Sequence, residues 1–274
     1  MTEAIRKERA DGDPAERAAA RGFRLLDVAG EPPGATVRDD QHPFPWLLDA
    51  AGRARRRGRR FRLVDSGKLE ARDLEWLAAA GADLFTADDI RPVVFDLVRL
   101  GRTAEPSGAY VAFFHHGPLD EGEEAGRLGP DSLGELLRSG VDVHLSNRER
   151  SRPAGVLRRL ALSRIRDGAE LVYYHHGALS PEAETPAEEG AWVHVGDNAI
   201  DLLTDSERIR DLGRAARSAG GGIVLHVEKE TDSILLDDLS RAGVHVLDKR
   251  PGSRSPRGRS LPGRSFYLDT TFLP

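Results

Sequence analysis

Three hexapeptides in this chain align without gaps: Val64-Asp65-Ser66-Gly67-Lys68-Leu69, Phe114-His115-His116-Gly117-Pro118-Leu119 and Tyr174-His175-His176-Gly177-Ala178-Leu179. Val227-Glu228-Lys229-Glu230 reads as a fourth copy by position. A second set lies between them: Val143-His144-Leu145-Ser146-Asn147, Val193-His194-Val195-Gly196-Asp197 and Val244-His245-Val246-Leu247-Asp248. Recurrence at this spacing means that one supersecondary unit is repeated, and that its copies must stack to bury their apolar faces. Four βαβα quarters make eight strands, and eight parallel strands alternating with helices predict a (β/α)8 barrel of the TIM type.

The β-rich runs are Phe61 to Asp65, Asp83 to Thr86, Ala109 to Phe114, Asp142 to Leu145, Glu170 to Tyr174, Ala191 to Val195, Gly222 to Val227 and Val244 to Leu247. Several are apolar on both faces, as in Tyr110-Val111-Ala112-Phe113-Phe114, which suits strands buried between a core and a helical ring. An open doubly wound sheet is the competing architecture, but it normally carries a Gly-rich phosphate turn after its first strand, and none is present. Most connections carry helix punctuation: Asp88 or Asp89 with Pro92, Asp131 with Ser132, and Asp205 with Ser206 each precede an apolar stripe. In the connection from 176 to 190, Pro181 and Pro186 predict a loop or a single turn. Residues 60–252 form the barrel on this reading. Residues 1–59 are an extension, with a charged helix ahead of Phe23, a strand from Phe23 to Val28 and a helix from Pro45 to Arg57, while 253–274 are a tail that docks again at Phe266 to Phe272.

Composition removes several classes of function. The absence of Cys excludes disulfides, thiolate metal sites and a Cys nucleophile. A formal net charge of −5 is a poor match for nucleic acid. The basic stretch Arg53 to Arg60 has no interleaved aromatics and reads as a solvated helix end. No apolar run long enough to span a bilayer and no apolar segment behind the N-terminal charges are present, so the expected location is the cytoplasm.

The C-terminal ends of barrel strands converge on one rim, which is where this architecture places its chemistry. The repeat puts Asp65, His115, His175 and Glu228 at one level of that rim, a donor set suited to Zn, Mn or Fe. His116, His176 and Lys229 come next along the chain, and because neighbouring strand residues face opposite ways, only one His of each pair enters the pocket. Even-numbered strands add Asp88, Asn147, Asp197 and Asp248, readable as ligands, as general bases or as caps of the following helices. His144, His194, His226 and His245 lie within strands and read as core residues.

Of 40 basic residues only four are Lys, yet Lys68, Lys229 and Lys249 fall at strand ends. A Lys there can act as a base or form an imine, and Arg can do neither. Three functional expectations follow. The first is a metal-dependent hydrolase or lyase acting on a small anionic substrate. Its ligands are Asp65, His115, His175 and Glu228, with Lys229, Asp197 and Lys249 catalytic and Lys68, Arg148, Arg250, His116 and His176 holding the substrate. The second is a metal-free aldolase or isomerase using Lys229 or Lys249. The third is a barrel that binds a ligand or partner without catalysis.

Overall fold

The computed structural model of the chain describes residues 23–25, 35–119, 128–164, 168–250 and 267–269. In chain order these form β1 (Phe23–Leu25), β2 (Ala35–Arg38), α1 (Phe44–Arg56), β3 (Phe61–Val64), α2 (Ala71–Ala79), β4 (Ala82–Ala87), α3 (Val94–Ala104) and β5 (Val111–His115). They continue as α4 (Pro130–Arg138), β6 (Val141–Ser146), α5 (Ala154–Ser163), β7 (Leu171–Tyr174), α6 (Pro181–Glu188), β8 (Trp192–Gly196), α7 (Leu202–Ser218), β9 (Gly222–Val227), α8 (Ser233–Arg241), β10 (His245–Asp248) and β11 (Tyr267–Asp269). The charged helix expected ahead of Phe23 and the tail from 253 to 264 lie outside the described residues.

Strands β2 to β10 form one parallel sheet in strictly sequential order, and β1 pairs with β11 antiparallel in a separate two-stranded sheet. Parallel neighbours joined by right-handed crossovers, always advancing the same way, place every helix on one face. That face is packed by Leu63, Leu84, Phe113, Val143 and Val193 of the strands against Leu74, Leu97, Leu133, Leu157 and Ile209 of the helices. Among the described residues no helix covers the opposite face, yet Val64, Phe85, Phe114, Val172, Tyr174, Trp192, Val224 and Leu247 form a second core, each at most 4% exposed. A sheet that buries its helix-free face has rolled onto itself, as an α/β barrel does. Among the described residues no hydrogen-bonded ladder joins β10 to β2.

Three local expectations are corrected. The segment 35–38, read as part of the extension, is a ninth parallel strand in register with β3, pairing Val37 with Leu63 and Arg38 with Val64. The connection after β7 holds a helix, α6, because Pro181 occupies its first turn, where no intrahelical N–H is needed, and Pro186 removes only one bond from a two-turn element. Asp88 and Asp197 cap no helix: the residue before α3 is Val93, and the cap of α7 is Asp201, whose side chain accepts the Leu203 N–H. The acids at the ends of the even strands do something else.

Candidate functional site

Asp88, Asn147 and Asp197 reach sideways to the next strand, whereas Asp248, at the end of the last parallel strand, holds Arg250. Asp88 Oδ2 accepts the backbone N–H groups of His116 and Gly117 at 3.0 and 2.8 Å. Asn147 Oδ1 accepts His176 N–H at 2.6 Å, and Asp197 accepts Glu228 and Lys229 N–H at 3.0 and 2.8 Å. Asp39, at the end of the unanticipated β2, accepts Ser66 N–H at 2.9 Å and so completes the series. The chain leaves each odd-numbered strand with peptide N–H groups that no ladder satisfies, and a short carboxylate or amide one strand away satisfies them. Burial raises the carboxyl of Asp39 above its usual range. At Asp88 burial acts in the same sense, but the hydrogen bond from His115, the charges of His115 and His116 and the Gly117 N–H outweigh it and bring the carboxyl down to about 2.

This belt fixes the register of the repeat, and it shifts the fourth copy by one residue. Glu228 receives from Asp197 what His116 receives from Asp88 and His176 from Asn147. Glu228 is thus the counterpart of Ser66, His116 and His176, whereas Asp65, His115 and His175 precede that position. The expected ligand set of Asp65, His115, His175 and Glu228 therefore mixes two faces of the sheet, and its members are committed elsewhere.

The Asp65 carboxylate takes Gly67 N–H, the Thr86 hydroxyl at 2.8 Å and two bonds from Arg91 at 2.8 and 3.0 Å. Together these fill its acceptor sites. His115 has Nε2 at 3.2 Å from Pro118 O and Nδ1 at 3.0 Å from Asp88 Oδ2. A Cβ on Gly117 would meet His115 Cε1 at 2.7 Å, so the glycine of the repeat is what lets the ring fold back on its own loop. His175 repeats the arrangement, with Nε2 at 2.8 Å from Ala178 O and Nδ1 at 3.2 Å from Asn147 Nδ2. Among the described residues no group of three His, Asp or Glu is arranged to hold a metal ion, and the residues expected to do so do not fit one.

Ser66, His116, His176 and Lys249 stand two positions on from the inner-core residues Val64, Phe114, Tyr174 and Leu247, and Glu228 stands two on from the buried His226. Lys249 Nζ donates to Glu228 Oε1 at 2.9 Å, and its side chain is 19% exposed. Beneath this mouth runs a chain of polar rings: His144 Nδ1 is 2.9 Å from Tyr174 OH, the Tyr174 and His194 rings lie 4.6 Å apart, and His194 Nδ1 is 2.9 Å from His226 Nε2. Burial, then the nearby charges of His226, His144, Lys249 and His245, hold His194 well below the usual His range. The sequence reading of these histidines as core residues describes their burial but not their mutual bonding.

Other expected site residues sit apart from the mouth. Lys229 Nζ donates to Asn198 O at 3.2 Å on the rim of a pocket of about 420 Å³ between the β8–α7 and β9–α8 loops, a pocket lined also by Asp197, Ile200, Thr231 and Leu235. Arg250 is folded onto Asp248 by two bonds at 2.8 and 2.7 Å and onto Thr231 O, which leaves its fork committed within the protein. Lys68 reaches Asp40 O at 3.4 Å, and Arg148 is exposed, with its N–H on Ser146 Oγ. The buried arginine of that cluster is Arg152, 2% exposed, which donates to Ser146 O and Gly117 O and ties the β5 and β6 loops together.

No family model and no curated protein matches the chain. Among solved structures it is similar to three described as mandelate racemase/muconate lactonizing proteins. The one from Sorangium cellulosum is 20% identical with a TM-score of 0.36, over 86% of this chain and 55% of that one. The one from Herpetosiphon aurantiacus is 11% identical with a TM-score of 0.36, over 88% and 59%. The one from Roseiflexus sp. is 15% identical with a TM-score of 0.33, over 94% and 61%. The chain spans less than two thirds of the length of each, and no residue role is carried over from them.

Proposed function

We propose that the chain is a barrel enzyme of lyase or isomerase type, acting on a small anionic carbonyl compound through an imine on Lys249. The observation that supports this reading is the Lys249–Glu228 pair, drawn from adjacent strands at the mouth, with the Lys249 side chain 19% and the Glu228 side chain 54% exposed and the ammonium 2.9 Å from the carboxylate. Glu228 takes the ammonium proton, the free amine adds to the carbonyl carbon, and loss of the carbonyl oxygen as water leaves the imine. The protonated imine then draws electrons from the neighbouring carbon, and Glu228 or His176 moves the proton to or from that carbon. His116 and His176 present ring N–H groups to the substrate's anionic group. Lys229, tied to Asn198 on the rim pocket, has no part in this scheme.

The test is reductive trapping. The full chain is incubated with a panel of short 2-oxo acids and sugar phosphates, reduced with borohydride and mapped by peptide mass. The expected result is one stable adduct on Lys249, lost in Lys249→Arg and retained in Lys229→Arg. Absence of an adduct on Lys249 across the panel, with the chain folded, overturns the proposal.

A further inference from the structure

At the end of the barrel away from Lys249, α7 and α8 run down to the starts of β9 and β10 and leave between them a depression of about 750 Å³. Arg210, Arg214, Arg217 and Arg241 line it, and among the described residues Asp238 is the one carboxylate in the lining. Arg210, Arg214 and Arg217 follow one another at helical spacings of four and three, so their like charges share a face and repel. Favourable interaction with helix C-termini accounts for Arg217 and Arg241, which lie in the last turns of α7 and α8. It does not account for Arg210 and Arg214, which stand one to two turns earlier.

The carboxylates at hand leave much of this charge unmatched. Arg214 pairs with Asp211 at 2.9 Å and Arg241 with Asp238, both on the exposed surface. Such pairs hold weakly there and leave most of each guanidinium's donors unused. Arg217 lies across Gly243: a Cβ there would come within 3.2 Å of its Cδ, and the glycine's φ is +102°. Side chains rarely adopt such a φ.

We infer that this basal depression binds a small ligand carrying two or more phosphate groups, independently of the chemistry at the mouth. Planar guanidinium forks match phosphate oxygens in pairs, and several forks around one concavity suit several phosphates. The lining comes from one pair of helices rather than from a long stripe that could follow a nucleic-acid backbone.

The test is calorimetric titration of the full chain with tripolyphosphate, orthophosphate and a single-stranded RNA oligomer, repeated with Arg210→Glu/Arg217→Glu. Expected are one-to-one tripolyphosphate binding, at least about tenfold tighter than orthophosphate, and a loss of at least about tenfold in the double variant. The variant should stay folded, its thermal midpoint without ligand lowered only slightly, because relief of like-charge repulsion along α7 offsets the loss of a favourable charge at the helix C-terminus, and its borohydride adduct at Lys249 should be unchanged. No tripolyphosphate binding, binding unaltered in the double variant, or RNA bound more tightly than tripolyphosphate overturns the inference.

Discussion

His194 and His226 are bonded ring to ring, Nδ1 to Nε2 at 2.9 Å, at 0% and 1% exposure inside the rolled sheet. One N–H bridges the two neutral rings, and a further proton on either would make a buried cation facing His144, His245 and Lys249. The folded chain therefore resists protonation at His194 to well below pH 6.5, whereas the unfolded chain accepts a proton near that value. The sign follows: the unfolded state binds more protons as pH falls, so stability is full above about pH 7 and declines below it. The expected slope from this group is up to about 1.4 kcal/mol per pH unit. Urea denaturation at intervals from pH 7.5 to 5 should show the decline, and His194→Leu should flatten it. An equal slope in that variant would show that the pair does not govern the effect.

The Asp88 carboxylate works in a lower window and by the opposite route. Its carboxyl titrates near 2 when folded and near 3.8 when unfolded, so its stabilisation is present above about pH 4 and lost as pH falls toward 2. Asp88→Ala leaves the N–H groups of His116 and Gly117 and the Nδ1 of His115 without their acceptor. The cost should be about 2–4 kcal/mol. Asp88→Asn should cost distinctly less, since Asn147 holds the same position one copy later and accepts the His176 N–H at 2.6 Å. Urea midpoints of both variants at neutral pH check the ranking, which a purely charge-based role for Asp88 would not give.

The architecture was legible because the repeat carries it: eight of the nine parallel strands lie where the β-rich runs and the hexapeptide copies put them. β2, Ala35-Thr36-Val37-Arg38, escaped notice because it has one large apolar residue and stands outside the repeat, whereas the equally short β3, β7 and β10 carry richer apolar runs or a repeat copy. The signal that could have found it was Asp39, standing after Val37 and Arg38 as Asp88 stands after its own strand. The candidate site was legible only in part. Strand alternation puts the two His of each pair on opposite sides, but it could not say which side each takes, and the choice made for the metal set was Asp65, His115 and His175, with Glu228. Those three side chains are spent on Arg91, Asp88, Asn147 and the carbonyls of their own loops, and bonds that cross from one strand to the next are announced by no local pattern. The register of the fourth copy failed for a related reason: Val227 resembles Val64 in type but faces the helices, so similarity of residue disagreed with alternation, and alternation decides.

Arg91 and Asp65 form the most enclosed bidentate pair of the rim, with side chains 15% and 1% exposed. Arg91 also donates to the Leu69 carbonyl, so a single guanidinium joins the loops after β3 and β4. Arg91→Ala strands a buried carboxylate and should cost about 3–5 kcal/mol. Arg91→Lys restores the charge but not the planar fork and should recover only part of that. The measurement is the urea midpoint of each variant at pH 7. Full recovery by Lys would mean that charge alone, and not the two-point geometry, holds the loops.

Glu228 is the residue in which the fourth copy departs from the His of its two predecessors, and it is also the partner of Lys249. On the proposed chemistry its carboxylate takes the ammonium proton before the amine attacks. Glu228→Gln keeps the size and a hydrogen-bond acceptor for Nζ but is a far weaker base. The initial rate of borohydride-trapped adduct formation on Lys249 should fall by roughly 10²-fold, the scale of a lost general base. The yield at long times should approach that of the parent, because the amine is still present. Raising the pH should restore the rate in Glu228→Gln more than in the parent, as bulk base takes over the deprotonation. An unchanged initial rate in Glu228→Gln would reduce the carboxylate to a counter-ion and leave Lys249 to find another base.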